Sequence, residues 1–284
     1  MPQIYIMALI TSILAFLLIG GLLKWKSDKT DHGFLLTLML IELPMALAAF
    51  YLVRIPLLDE LFKFLLQSHP SVYGFTKLFY APLTEEPAKL LPLLLPFLRS
   101  KITKDNFVWA AMALGLGFGI GEIWLVAGFI SHAPQFSGLP WYMFTGFLNE
   151  RFMVCVIHGG FTAFALWRLG NKFILGALGA MFLHFLGNFP IYLAGIGFGG
   201  FSNTTWQGIL QIYIVIFLIG IIAMLAKFKY RKVSLGRFLL GRSKCPECSS
   251  VYEAPVFGFN CITKRYEKCP NCNKWHWVKR FDKN

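Results

Sequence analysis

Long apolar stretches follow one another along most of the chain, with short polar segments between them. A helix needs about 20 apolar residues to cross a bilayer, and seven stretches reach or approach that length. Their approximate bounds are 4–23, 34–53, 71–98, 107–130, 141–167, 173–198 and 205–226. The pattern predicts an all-α polytopic membrane protein, with about seven transmembrane helices in a body that covers residues 1–226.

The third stretch, 71–98, is the least regular because it contains four prolines, which break or kink helices. Within it, the segment Thr84-Glu85-Glu86-Pro87 resembles a helix start with Thr84 as the capping residue. We therefore expect a short helix, a break, and then a membrane helix from about Glu85. Residues 57–67 look amphipathic, which predicts an interfacial helix.

Composition agrees with a membrane body and separates it from a basic tail. Hydrophobic side chains make up 56% of the 284 residues and charged ones 14%, against about 25% charged in an ordinary soluble domain. This excludes a soluble enzyme, a disordered protein and a disulfide-rich secreted scaffold. Residues 227–284 hold 14 of the 27 Lys and Arg but only 4 of the 14 Asp and Glu.

The loops give an expected orientation. Basic residues follow the first, third and fifth stretches, whereas the alternate loops contain few, with only Arg54 and Lys63 between the second and third. Under the positive-inside rule this places the amino terminus outside and the carboxyl terminus in the cytoplasm. The loop residues that set the orientation are Lys24, Lys26, Lys29, Arg99, Lys101, Lys104, Arg168 and Lys172.

Ionisable side chains lie within several predicted spans, where charge is expensive and is a functional-site hypothesis by default. At 1.5 Å per residue, most of them fall roughly 15–26 Å from the cytoplasmic end of their helix. One shared polar chamber is the simplest interpretation, whereas we interpret Glu42 as structural or gating. The chamber residues are Glu85, Glu86, Lys89, Glu122, Arg151, His158, His184 and Asn188.

Their spacing suits acid–base chemistry. Lys89 can pair with either preceding glutamate on one helix face, and two carboxylates beside a lysine suit a general base. Histidine and asparagine can orient water or stabilise an oxyanion. The alternatives are a structural ion pair or a transporter proton site for the Glu-Glu-Lys group, a helix-packing bond for His158, and a neutralised Glu150–Arg151 pair.

Four motifs in order resemble the PrsW family of intramembrane endopeptidases, which is related to the CAAX-prenyl-protease and bacteriocin-processing membrane peptidases. The resemblance covers residues 34–200, and the sequence departs from the family at Ile123, where an asparagine commonly follows the glutamate. The motifs are Glu85-Glu86-x-x-Lys89, Phe118-x-x-x-Glu122, Arg151 seven residues before His158, and His184-x-x-x-Asn188.

The resemblance implies a peptidase in the plasma membrane of a prokaryote that cuts a membrane-anchored protein, as in site-1 cleavage of an anti-sigma factor. It also implies that the water-activating base is one of the adjacent glutamates, with Lys89 and Arg151 bracing the carboxylates. The implied catalytic residues are Glu85, Glu86, Glu122, His158, His184 and Asn188.

Two questions about the chamber stay open at this point. A glutamate and two histidines could bind a divalent metal, but the nearby cations Lys89 and Arg151 disfavour one, so we favour a metal-free mechanism. A non-catalytic transporter or receptor, or a scaffold, could use the same polar groups. The body lacks the paired inverted halves of many secondary transporters, which favours a peptidase.

The tail contains two Cys-x-x-Cys pairs separated by 20 residues, Cys245/Cys248 and Cys269/Cys272. This spacing predicts a structural zinc in a small β-rich ribbon over residues 245–284; disulfides are the alternative, disfavoured on the cytoplasmic side. Residues 227–244 form a basic juxtamembrane linker that attracts anionic lipid. Trp275, His276 and Trp277 form a possible surface for a cytoplasmic protein, nucleic acid or anionic lipid.

Overall fold

The chain forms two compact units, Met1–Ile221 and Ile222–Asn284. The computed structural model describes residues 2–27, 31–168, 173–229, 242–255, 258–261 and 264–281. The sequence placed the end of the membrane body at residue 226, whereas the units divide at residue 221, inside the last long helix. Most of the predicted basic linker lies outside the described residues, as do Lys29 and Lys172.

The first unit is helical throughout its regular structure. A π-helical segment, Phe16–Gly20, joins the first two helices, and another, Ala49–Asp59, joins the fourth and fifth. The helices are α1 (Ile4–Ala15), α2 (Gly21–Lys26), α3 (His32–Glu42), α4 (Met45–Ala48), α5 (Glu60–Ser68), α6 (Pro70–Lys77), α7 (Tyr80–Leu90), α8 (Pro96–Arg99), α9 (Phe107–Ser131), α10 (Thr145–Trp167), α11 (Phe173–Gly195) and α12 (Asn203–Lys229).

Five helical stretches are long and apolar enough to cross a membrane, which makes this a membrane protein by length and composition. They correspond to the first, second, fourth, sixth and seventh predicted spans. Their bounds are Ile4–Trp25, His32–Ser68, Phe107–Ser131, Phe173–Gly195 and Asn203–Lys229. The full set of seven spans is therefore not confirmed.

The other two predicted spans depart from a plain apolar helix for different reasons. The stretch 71–98 is divided among α6, α7, a 3-10 turn and α8, because proline removes backbone donors and disrupts the helix. Helix α10 is continuous over 23 residues, but Glu150, Arg151 and His158 make it more polar than the five candidates.

The predicted helix start at Thr84 is wrong. Helix α7 already begins at Tyr80, and the Thr84 hydroxyl donates to the Tyr80 carbonyl oxygen at 2.7 Å. A threonine can make this bond to the carbonyl four residues back inside a helix, in place of capping one. Glu85 and Glu86 consequently lie in the middle of α7 rather than in its first turn.

Helix α9 is the central element of the first unit, because alternate glycines let two neighbours approach it closely. Gly115 and Gly119 face α10, and Gly117 and Gly121 face the α3–α4 segment. A Cβ atom at Gly115 would lie 2.1 Å from the backbone nitrogen of Gly159, which is closer than any real contact. This close approach brings the polar side chains of α9 and α10 into contact.

The second unit ends in five short antiparallel strands. Their spatial order is β2-β1-β5-β4-β3, and β5 pairs with β4 through its first part and with β1 through its last part. The small β-rich region with a cysteine cluster is thus confirmed. The strands are β1 (Arg242–Lys244), β2 (Val251–Glu253), β3 (Phe259–Asn260), β4 (Lys264–Lys268) and β5 (Trp275–Phe281).

Candidate functional site

Helices α7, α9, α10 and α11 bring the predicted chamber residues together. At the centre, Glu86 Oε1 accepts hydrogen bonds from Lys89 Nζ at 2.7 Å and from His184 Nδ1 at 2.6 Å. All three side chains are buried, and that of Lys89 is wholly enclosed. The Lys89 ammonium also lies 5.3 Å and 5.5 Å from the centres of two phenylalanine rings, a favourable cation–π arrangement.

The bond from Lys89 to His158 determines which nitrogen of His158 carries the proton. Lys89 Nζ lies 3.0 Å from His158 Nδ1, and His158 Nε2 lies 2.7 Å from Glu122 Oε2. An ammonium can only donate, so Nδ1 accepts and Nε2–H donates to the glutamate. His158 therefore uses both nitrogens to join α7 and α9.

The chain of bonds continues through Arg151 to Glu150, and both residues line the cavity described below. Arg151 Nη1 donates to Glu122 Oε1 at 3.1 Å, and its Nη2 donates to Glu150 Oε1 at 2.5 Å. A neutralised Glu150–Arg151 pair, one of the interpretations from the sequence, is thus only part of what Arg151 does. Because it also holds Glu122, Arg151 braces the predicted site.

Arg54 is a chamber residue that sequence reasoning missed. Its Nη2 donates to Glu85 Oε1 at 2.6 Å and lies 3.2 Å from the Thr84 hydroxyl. The sequence interpretation assigned Arg54 to an outer loop, but it lies in the helical segment Ala49–Asp59. A single arginine within the apolar run Phe50-Tyr51-Leu52-Val53 and Ile55 was the signal that could have found it.

Glu85 and His184 approach each other through one carboxylate oxygen and one ring nitrogen. Glu85 Oε2 has no hydrogen-bond partner among the described residues and lies 3.8 Å from His184 Nε2. His184 Nδ1 lies 2.6 Å from Glu86 Oε1, and in the neutral tautomer that donates there, Nε2 carries the lone pair. Two acceptors at this separation are suited to a molecule that donates one hydrogen to each.

Both atoms belong to residues that line a cavity of about 540 Å³. Glu85 lines it, whereas Glu86 and Lys89 are not among its lining residues, which distinguishes the two adjacent glutamates. Phe161 stacks on the His184 ring at 5.1 Å and forms part of the wall. The polar lining residues are Arg54, Glu85, Glu122, Glu150, Arg151, His158, His184, Asn188, Gln207, Gln211 and Tyr213.

A metal ion would fit this chamber poorly. Ligand atoms of Glu85, His158 and His184 lie within 4.8 Å of one another, a grouping that could hold a metal ion. However, both nitrogens of His158 already bond to Lys89 and Glu122, and binding a metal would break one of those bonds. The expected metal-free mechanism stays a prediction.

The cysteine cluster of the second unit has the dimensions of a metal site. Its four sulfur atoms lie within 4.8 Å of one another, with Cys245–Cys272 at 3.7 Å and Cys248–Cys269 at 3.8 Å. A tetrahedral zinc with sulfur ligands at about 2.3 Å has edges of about 3.8 Å. The four cysteines are all free thiols, and they could hold a metal ion, as expected for a zinc ribbon.

The two Cys-x-x-Cys turns share one backbone design. The nitrogens of Ser249 and Asn273 donate to the carbonyl oxygens of Cys245 and Cys269, at 3.0 Å and 2.9 Å. Both Ser249 and Asn273 have positive φ angles, 59° and 58°. Each turn thereby curls its two sulfur atoms toward the other turn.

The hydrogen bond to the Ser250 hydroxyl is the main reason that the pKa of the Cys248 thiol is lowered to about 6. A lower pKa favours the thiolate, the form that binds metal.

His276 does not share a face of β5 with its neighbours Trp275 and Trp277, so the three predicted contact residues are divided between two faces. His276 Nε2 lies 3.2 Å from Glu247 Oε2 and 3.7 Å from Cys272 Sγ. Side chains alternate between the two faces of a strand, and His276 therefore turns toward the cysteines while both tryptophans are exposed.

No family model, curated protein or solved structure matches the chain. The resemblance to the PrsW family therefore remains a prediction from four short motifs. Seven of the eight predicted chamber residues are linked by the contacts given above, and the eighth, Asn188, lines the same cavity.

Proposed function

We propose that the chain is an intramembrane endopeptidase of the PrsW type that hydrolyses a peptide bond of a membrane-anchored protein without a catalytic metal. The observation that supports this is the 3.8 Å approach of Glu85 Oε2 and His184 Nε2, which belong to two residues that line the cavity. A water about 2.8 Å from each would donate one hydrogen to each and turn a lone pair to the cavity.

In the first step, the water oxygen attacks the carbonyl carbon of the substrate while Glu85 Oε2 takes one of its protons. The carbonyl π electrons move to the carbonyl oxygen, and the amide of Asn188, which lines the cavity, would donate to it. In the second step, the oxyanion re-forms the carbonyl double bond, the carbon–nitrogen bond breaks with its electron pair left on nitrogen, and Glu85 gives its proton to that nitrogen. Glu85 ends the cycle ionised again.

The remaining chamber residues hold the reacting groups in place. Arg54 binds Glu85 Oε1, which leaves Oε2 for the water. Glu86 fixes the His184 ring through Nδ1, in the way that a carboxylate orients the histidine of a catalytic triad. The charge-assisted bonds among Lys89, His158 and Glu122 connect three helices around the site.

The proposal also includes a membrane topology and a zinc site in the carboxyl-terminal tail. Helix α10 and the broken segment from Pro70 to Arg99 would also cross the bilayer, which gives seven spans with the amino terminus outside and the carboxyl terminus in the cytoplasm of a prokaryote. The four cysteines would hold a structural zinc. The substrate class suggested by the resemblance is a membrane-anchored regulator similar to an anti-sigma factor.

A non-catalytic transporter, receptor or scaffold is the alternative, and one observation favours it. Each carboxylate in the cavity wall is already paired with an arginine: Glu85 with Arg54, and both Glu122 and Glu150 with Arg151. Such pairing also suits a purely structural cluster. The test below distinguishes the two functions.

The test compares membrane-protein fragments in cells that produce the wild-type chain, Glu85→Gln or Glu60→Gln. Glu60 is a matched control because its side chain is 64% exposed and pairs only with Lys63 among the described residues. We expect the same specific fragments with wild type and Glu60→Gln and none with Glu85→Gln. Unchanged fragments with Glu85→Gln, at equal protein levels, would refute the proposed base.

A further inference from the structure

The small sheet of the second unit carries charge on its inner face. In β4, Arg265 is 3% exposed and Glu267 is fully buried, and Arg265 Nε lies 2.9 Å from Glu267 Oε2. Val278 of β5, opposite Arg265, is buried with them. Because side chains alternate along a strand, the residues between these point to the other face.

That outer face carries a row of aromatic side chains, which we name the aromatic face: Phe259, Tyr266, Trp275 and Trp277. Phe259 lies opposite Tyr266, and Tyr266 lies opposite Trp277, so the three occupy neighbouring strands on one side of the sheet. Phe259, Trp275 and Trp277 are 77%, 49% and 51% exposed. Four adjacent aromatic side chains, three of them at least half exposed or nearly so, form a large apolar patch for so small a unit, and such a patch is typical of an interaction surface.

The charges beside the aromatic face are basic. Lys264 and Lys268 lie on the same side of β4 as Tyr266, and both are exposed. The acidic residue of this strand, Glu267, is turned inward. Within the part of the chain that the structure describes, the face therefore combines aromatic rings with positive charge, which suits an anionic surface.

The chain length keeps this unit near a bilayer. Helix α12, one of the five candidate spans, ends at Lys229, and β1 begins at Arg242. Thirteen residue steps span at most about 45 Å however they are arranged, so β1 begins within that distance of the end of α12. Weak contacts between the strands and the membrane therefore gain from a high effective concentration. The connecting residues 230–241 add Arg231, Lys232 and Arg237.

The ring arrangement favours a lipid interface over nucleic acid. The Tyr266 ring lies 5.4 Å from that of Trp275 and 5.2 Å from that of Trp277, at interplanar angles of 23° and 45°. Single-stranded nucleic acid needs separate ring faces on which bases can stack, but here the rings turn toward each other. Clustered Trp and Tyr beside Lys are typical of the lipid headgroup region.

We propose that the aromatic face binds the headgroup region of an anionic bilayer, with Lys264 and Lys268 contacting lipid phosphates. The rings enter the interface, and the cysteine cluster and the inner ion pair stay on the side away from it. This surface is separate from the chamber of the first unit and does not depend on peptidase activity.

Photo-crosslinking in the full chain tests the proposal. Phe259 is replaced by p-benzoylphenylalanine, and the protein is reconstituted in vesicles of phosphatidylcholine with one quarter phosphatidylglycerol, irradiated and analysed by mass spectrometry. The control position is Val251 of β2, which is 50% exposed on the strand at the opposite edge. We expect at least fivefold more phospholipid adducts at position 259 than at position 251.

Charge variants make the test specific for an anionic surface. The double variant Lys264→Glu and Lys268→Glu should lower the adducts at position 259 at least threefold, as should 0.5 M salt, whereas Lys244→Glu on β1 should leave them unchanged. An unaltered metal content per chain verifies that each variant is folded. Equal lipid adducts at both positions, no adducts, or adducts mainly within the chain or between copies of it would overturn the proposal.

Discussion

The two units of this protein both bury charged side chains, but they do so in different settings. In the first unit, Glu85 and His184 line a cavity, and Glu85 Oε2, which has no hydrogen-bond partner among the described residues, lies 3.8 Å from His184 Nε2. In the second unit, Arg265 and Glu267 are packed beneath a small sheet. The comparison teaches that burial of charge alone does not distinguish the two units, whereas a cavity beside the buried charges does.

The largest expected difference between the units is their dependence on metal. Cys269→Ser should abolish metal binding and expose residues 242–281 to protease, because a bound zinc contributes roughly 10 kcal/mol or more to the folding of such a module. The first unit should keep its thermal unfolding temperature. Metal analysis and limited proteolysis measure both effects.

Cys261→Ser is the control for that experiment, since Cys261 is exposed and outside the cluster. If Cys269→Ser kept its metal, or if the first unit unfolded together with the second, the four-cysteine site or the independence of the two units would be wrong.

The next largest effect concerns Arg54. Arg54→Met should lower kcat/KM by about 10–100-fold, because it leaves a buried carboxylate without its charged partner, a loss worth about 1.4–2.7 kcal/mol. Arg54→Lys should recover part of the activity, since it keeps the charge. The measurement is steady-state cleavage of an identified substrate in nanodiscs.

Arg99→Met, at the exposed end of α8, is the matched control. Full activity in Arg54→Met would show that Glu85 needs no positioning by Arg54.

Arg54 also shows where sequence reasoning reaches its limit. The chamber residues on regular helices could be predicted from depth, because a rise of 1.5 Å per residue converts position into height. Arg54 lies in a π-helical segment that continues the second span, beyond the point at which the apolar pattern predicted its end. Its partner Glu85 lies 31 residues away, and residues so far apart in the chain form no local sequence pattern from which the pair could be predicted.

In the second unit, the cysteine spacing predicted the cysteine cluster because each pair of sulfur atoms is positioned by one short turn, which is a local feature of the sequence. The sequence grouped His276 with Trp275 and Trp277 because no strand had been assigned there, and the strand pairing shows that His276 lies on the other face. The broken segment between α6 and α8 was foreseen from its prolines, although the helix start was misplaced by five residues.

The smallest expected effect is on stability, and it concerns the close packing of α9 against α10 in the first unit. Gly115→Ala should lower the stability by about 1–3 kcal/mol, because the added Cβ would collide with the backbone of α10. Gly128→Ala on the same helix should be neutral or stabilising, since no atom lies within 4 Å of its added Cβ. Thermal unfolding of the purified variants compares the two, and equal unfolding temperatures would contradict the close helix contact.

The most direct test of the central claim compares two buried glutamates. Glu42 is fully buried and both of its carboxylate oxygens lack a partner among the described residues, but it is not among the residues that line the cavity. The measurement is the cleavage rate of one purified membrane-anchored substrate by Glu85→Gln and by Glu42→Gln. The account predicts that Glu85→Gln loses about 10²–10⁴-fold in rate while folded Glu42→Gln stays within about threefold of wild type, and equal rates for the two variants would contradict it.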